Sequence, residues 1–401
     1  MEELAIMPTD LMRRCALLLV VAVIAGVGVA PAQSPAQPKG EPIKIGLLTP
    51  VTGNLARWGG YAQNGAGLAV DEINAAGGVL GRPLQVVPAD SLCQPAQGVS
   101  ALRRLITSDK VSFVVGDICS SVTLAAMPVV AESKVVLINA GSSHPDITYK
   151  AGAGGNVWTF RNYPTDELRT QIVTEYVIKQ GAKRFSILDV DNDFGRGAAA
   201  LTKKHLEKLG GTLLSEDYYK SGETDFAPVL TKIKGLKPDV ILMYGLPDSV
   251  PPLTAQMKAQ SMKIKLAGVA EFTTPDIIKR SQADVLEGAV EGMSWAPILG
   301  GAANQAFVDA YKKKTGGDAP QVHAFTHYES VKLLAKAIAE AGSADSDKVR
   351  GALAKIQYDG LMGKVRFDDH NQAEVPMAIL AVENGAPVSK GTFTTKITYP
   401  H

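Results

Sequence analysis

The chain has 401 residues, 46% hydrophobic and 20% charged, which is ordinary for a globular protein and long enough for two domains. Its 41 Lys and Arg against 40 Asp and Glu leave a formal net charge of +1 with no large basic or acidic block. Binding of nucleic acid through a charged face therefore has no support.

Near the N-terminus Arg13 and Arg14 precede an unbroken apolar run over residues 16–29, followed by Ala30-Pro31-Ala32. This pattern predicts a secretory signal peptide over residues 1–32, cleaved after Ala32. The rival, a membrane anchor, would need a longer run. Cys15 precedes the run and so does not read as a lipid-attachment cysteine; Met7 and Met12 are alternative starts. No other stretch reads as a span, so the mature chain is expected to act outside the cytoplasm. Two cysteines then remain, Cys93 and Cys119. An even pair in an exported chain suggests one disulfide, with two free buried thiols as the alternative.

Residues 33–42, rich in Pro, Gln and Ala, read as a flexible lead. A βα alternation follows. Residues 43–48 are an apolar run suited to a buried parallel strand, 49–60 a glycine-rich loop, and 62–74 a helix with Ala62, Ala66, Ala69, Val70 and Ile73 on one face. Gly77-Gly78 ends that helix and 84–87 is the next strand. Helices are predicted over 97–108 and 121–132, and strands over 111–116 and 135–139. After a break at 158–164 come a helix (166–179), a strand (184–190), a helix (195–209) and strands at 212–219, 240–244 and 264–268, with a helix over 250–260. Helices over 304–315, 323–341 and 349–356 precede a final strand at 377–383; the tail after Asn384 is polar and unassigned. Units of this kind build parallel sheets that bind ligands at the carboxyl ends of their strands.

The run from Gly65 through Asp71-Glu72-Ile73-Asn74 to Gly77-Gly78 and Leu80-Gly81-Arg82 resembles the opening of the branched-chain amino-acid-binding family, type I periplasmic solute-binding proteins that serve ABC importers. Thr224-Asp225-Phe226, with Leu230, Ile233-Lys234 and Pro238-Asp239, is similar to a second signature of that family. Residues 158–164, 288–297 and 360–368 resemble its three crossovers between lobes. The resemblance implies a two-lobed α/β fold, each lobe a parallel sheet flanked by helices. Lobe one would be 43–161 plus 295–362, and lobe two 162–294 plus 363–401. It also implies a disulfide at positions matching Cys93 and Cys119, a periplasmic location, and a monomer that delivers its ligand to an ABC permease.

No G-x-S-x-G, H-E-x-x-H or G-x-x-x-x-G-K-[ST] pattern occurs, so neither an enzyme nor a cofactor is expected. His323 and His327 stand one helical turn apart, but no carboxylate clearly joins them and one of the two is expected to face solvent, which argues against a metal site. Binding groups are better represented. Ser120 and Ser121 open a helix at the end of a strand, where hydroxyls and free N–H groups suit a carboxylate. Ser142 and Ser143 occupy the corresponding turn after the next strand; helix capping alone is the plainer reading.

In the resembled family, hydroxyls at the positions of Ser120 and Ser143, with Ser142 beside it, hold the α-carboxylate of an amino acid. The resemblance further places Trp58 over the ligand, Phe194 where Tyr is usual, Leu246 near an aromatic position, and His323 where a pocket Phe is found. The carboxylate that takes the ammonium aligns with Ala270, and Glu271 is one residue later. The expected ligand is a branched-chain or related amino acid if Glu271 reaches the site. Otherwise it is an aromatic carboxylate, amide or urea-type solute, or one presented to a separate sensor.

Overall fold

In the computed structural model, which describes residues 37–393 together with 397 and 399, the chain enters its first sheet at once. The predicted signal peptide and Cys15 lie outside the described residues. The order is β1 (Ile43–Thr49), α1 (Ala56–Ala75), β2 (Leu84–Asp90), α2 (Pro95–Thr107), β3 (Phe113–Gly116), α3 (Ser120–Ser133), β4 (Val136–Asn139), the short α4 (Pro145–Tyr149) and β5 (Thr159–Arg161). These strands pair in parallel in the order β2-β1-β3-β4-β5. Ile45, Leu47, Leu48 and the Phe113-Val114-Val115 run are fully buried, because helices cover both faces of the sheet.

The chain then builds α5 (Asp166–Lys179), β6 (Arg184–Val190), α6 (Asp193–Leu209), β7 (Thr212–Tyr219), α7 (Ala227–Leu236), β8 (Val240–Tyr244), α8 (Val250–Ala259), β9 (Lys265–Val269), α9 (Pro275–Arg280), α10 (Ala283–Leu286) and β10 (Val290–Met293). It next lays α11 (Ala302–Thr315), α12 (Val322–Ala341) and α13 (Ser346–Leu353) on α1, β3 and β4. A hairpin of β11 (Tyr358–Gly360) and β12 (Gly363–Val365) leads to β13 (Met377–Glu383) and β14 (Ala386–Phe393) in the second sheet.

That second sheet, β14-β13-β10-β9-β8-β6-β7, is parallel-dominated as expected, with antiparallel strands added at one edge. Strands β6 to β10 are parallel neighbours, whereas β13 runs antiparallel to both β10 and β14. The β13–β14 pairing follows from chain length: Glu383 and Ala386 are joined by Asn384-Gly385, both at positive φ, and so short a connection closes only an antiparallel hairpin. Within the polar tail, residues 386–393 form the edge strand β14.

Helix α1 starts at Ala56, six residues before the predicted start, and takes Trp58 and Gly59-Gly60 out of the expected loop. A Cβ at Gly59 would lie 1.8 Å from the Pro50 carbonyl oxygen. This glycine therefore serves close packing of the first helical turn rather than a bend. Gly65 serves the same purpose further along: a Cβ there would lie 2.0 Å from the Ala324 carbonyl oxygen, which lets α1 and α12 touch through their backbones.

Candidate functional site

The carboxyl ends of both sheets face one cavity of about 80 Å³. A buried water needs roughly 10–15 Å³ by this measure, so the space suits a small solute. Seven of the eight residues singled out in the sequence line it. Trp58, Ser120, Ser143 and His323 come from elements packed on the first sheet, and Phe194, Leu246 and Glu271 from loops or helix starts after β6, β8 and β9.

Ser142 stands apart. Its hydroxyl donates to the Asp117 carbonyl at 2.7 Å and shares a 2.7 Å bond with Thr123 Oγ1, so the hydroxyl is spent on joining the turn after β4 to the one after β3. Ser143 donates to Asp166 Oδ2 at 2.9 Å, which leaves its hydroxyl oxygen as an acceptor.

Ser120 is the first residue of α3, capped by Cys119, which a disulfide joins to Cys93 with a Cα–Cα distance of 5.5 Å. The bond ties the loop after β2 to the start of α3. Ser120 Oγ accepts the His144 N–H at 3.2 Å, and its own proton is free to turn to the cavity. The hydrogen bonds of α3 begin with Val122 and Thr123 on the Cys119 carbonyl, so the N–H groups of Ser120 and Ser121 precede them. A 14-residue helix start with a hydroxyl is an anion-seeking group.

Ala270 and Glu271 both line the cavity. Glu271 sits in left-handed backbone at φ +59°. Glu291 on β10 holds it there, accepting the N–H groups of Ala270 at 3.0 Å, Glu271 at 2.5 Å and Thr273 at 3.2 Å, and the Thr273 hydroxyl at 2.8 Å. Burial pushes the Glu271 carboxyl up to about 8; the nearby Trp58 indole opposes that rise, the negative Glu291 adds to it, and Arg169 opposes it. The indole N–H of Trp58 itself closes no hydrogen bond among the described residues.

His323 Nε2 is 3.8 Å from Glu271 Oε1. Burial holds the imidazole well below its usual pKa, so it is neutral at pH 7. Its ring stacks on Tyr163, 5.7 Å away and 18° from parallel, and the Arg169 guanidinium lies 5.5 Å from the same Tyr163 ring. The expectation that His323 or His327 faces solvent does not hold. Both are buried, because α12 is covered by the first sheet and α1, and His327 Nδ1 is 2.8 Å from the His323 carbonyl. Among the described residues no set of three or more His, Cys, Asp or Glu is placed to hold a metal ion.

Sequence reasoning missed Arg169, Tyr163 and Glu291. The only signal was the polar start of α5, Asp-Glu-Leu-Arg, which reads as a solvated face. In the structure Asp166, Glu167, Leu168 and Arg169 are all buried.

A small polar-and-apolar cavity shared by the strand ends of two sheets defines a two-lobed solute-binding protein. Comparison with known proteins agrees. Residues 42–387 match the family model described as periplasmic binding protein. The chain is 29% identical over 338 residues to an amino acid binding protein of Pseudomonas aeruginosa, covering 83% of this chain and 88% of that protein. It is 29% identical over 334 residues to the leucine-, isoleucine-, valine-, threonine- and alanine-binding protein of the same organism, covering 82% and 86%. The structure of the branched-chain amino acid transporter substrate-binding protein of Streptococcus pneumoniae in complex with isoleucine superposes with a TM-score of 0.79 at 28% identity, covering 89% of this chain and 100% of that one. A solute-binding protein of Rhodopseudomonas palustris in complex with 3,4-dihydroxybenzoic acid shares the fold, with a TM-score of 0.80 at 24% identity and coverage of 88% and 97%.

The chain belongs to the periplasmic binding protein family, in its branched-chain amino-acid-binding group, whose members are the solute-binding components of ABC transporters. No helix among the described residues is long and apolar enough to cross a membrane.

Proposed function

We propose that the protein captures a branched-chain or related amino acid as its zwitterion and delivers it to a membrane permease. The observation that carries this reading is Glu271, placed in the same cavity as Ser120 and the start of α3. The helix start and the Ser120 hydroxyl suit the α-carboxylate. Glu271 suits the ammonium, which would otherwise be buried unpaired at a cost of several kcal/mol. Trp58, Phe194 and Leu246 supply apolar wall. The lobes divide as 43–161 plus 295–362 and 162–294 plus 363–401. Closure by rotation at the three crossovers is driven by a ligand that touches both lobes.

A deaminated or aromatic carboxylate is the rival, favoured by the raised pKa of Glu271, which leaves a carboxyl able to donate a hydrogen bond at neutral pH. Calorimetry with leucine, its deaminated analogue 4-methylpentanoate, and benzoate separates the two. Binding of the amino acid, lost in Glu271→Gln, supports the zwitterion reading. Equal or tighter binding of 4-methylpentanoate or benzoate sinks it.

A further inference from the structure

Arg169 is a buried cation whose donors are mostly unused. The residue is 3% exposed and lines the cavity from α5, on the second-sheet side. A guanidinium carries five N–H donors. Among the described residues the side chain makes one hydrogen bond, a long one of 3.4 Å from Nη1 to Asp166 Oδ1, and Nε has no partner. One further donor that lines the same cavity, Trp58 Nε1, closes no hydrogen bond among the described residues. Buried donors left unpaired are costly, and an aliphatic side chain packed against them would leave them so. In the reading above the start of α3 and Ser120 take the α-carboxylate, which leaves Arg169 for another acceptor.

We infer that the amino acid this site selects carries an oxygen acceptor on its side chain, a carboxamide or a carboxylate, and that Arg169 is the residue that reads it. This rests on the amino-acid reading above and narrows it to the related amino acids, setting aside the branched-chain ones, whose side chains carry no acceptor. The apolar wall is compatible: asparagine and aspartate have the branched outline of leucine, and they differ from it only in what the branch atoms can accept. Shape cannot tell the three apart, whereas a site built to hydrogen-bond a polar group rejects the analogue that lacks it.

The test is calorimetry of the wild-type protein with asparagine, aspartate and leucine as one set of equal outline, and glutamine, glutamate and methionine as a second. At least one of the four polar amino acids is expected to bind tenfold or more tightly than both leucine and methionine. A smaller advantage overturns the inference while leaving the amino-acid reading intact. Failure of all six to bind removes that reading and the inference with it. Preference for aspartate or glutamate over the amides assigns a charged side chain, and the reverse assigns a carboxamide. In Arg169→Met the polar amino acids are expected to lose their tenfold advantage over leucine and methionine; a folded variant that keeps the preference overturns the role of Arg169. If that variant does not fold, the wild-type panel decides alone.

Discussion

The carboxylate of Glu291 accepts the backbone N–H of Glu271 at 2.5 Å, and this bond together with those to Ala270 and Thr273 sets the loop that carries Glu271 into the cavity. Glu291 is fully buried, so its four donors have no water to fall back on. Glu291→Gln turns an amide NH₂ toward part of that donor cluster. A stability loss of about 2–3 kcal/mol is expected from the unsatisfied donors, read by denaturant unfolding. Weaker amino-acid binding should accompany it, because Glu271 loses its constraint. A variant with wild-type stability and affinity would remove Glu291 from this role.

Glu271 makes the ligand-free protein sensitive to pH in a defined direction. Its carboxyl is raised from an ordinary 4.5 to about 8, chiefly by burial. Between those values the folded state holds more protons than the unfolded state, so this group's contribution to stability is full below about pH 4.5 and is lost as pH rises through 8, by at most about 1.4 kcal/mol per pH unit. Glu271→Gln should flatten that decline in a melting-temperature series from pH 5 to 8.5. The same shift predicts that an ammonium-bearing ligand displaces a proton on binding at pH 7. Calorimetry in buffers of different ionisation enthalpy should show release approaching one proton, and zero release would mean that the ammonium does not pair with Glu271.

Gly65 and Gly60 lie in the same helix but differ in what surrounds them. A Cβ at Gly65 meets the Ala324 backbone at 2.0 Å, whereas one at Gly60 meets nothing within 4 Å. Gly65→Ala should destabilise by roughly 1–3 kcal/mol through overpacking between α1 and α12. Gly60→Ala should stabilise by about 0.5–1 kcal/mol through helix propensity. Equal effects of the two in thermal unfolding would mean that α1 and α12 are not in backbone contact.

Much of the site was already legible as a list of residues. Ser120 falls at a strand end that the βα alternation locates, whereas Trp58, Phe194, Leu246 and His323 came from the resemblance to the family; all five line the cavity. Ser142 and Ser143 are adjacent in the same turn and could not be separated by pattern. Only the three-dimensional turn gives one hydroxyl to Asp117 and Thr123 and the other to Asp166.

The amino-acid order by itself determined the succession of strands and helices, because periodicity of apolar residues is a local property: β6, β7, β8 and β13 occupy the stretches their alternation and apolar runs predict. It also put Cys93 and Cys119 after the carboxyl ends of two successive strands, β2 and β3, which flank β1 in the sheet. The tertiary structure decided the charged interior of the site. Whether Glu271 brings its carboxylate into the cavity depends on Glu291, some 20 residues away on the next strand, which holds Glu271 in left-handed backbone. Whether Arg169 is a solvated helix residue or a buried cation depends on what covers α5, which packs on β9, β10 and β13. Periodicity reports a preference for water or core, but a charged side chain can satisfy that preference in either place. Its partners, drawn from distant parts of the chain, settle which one it takes.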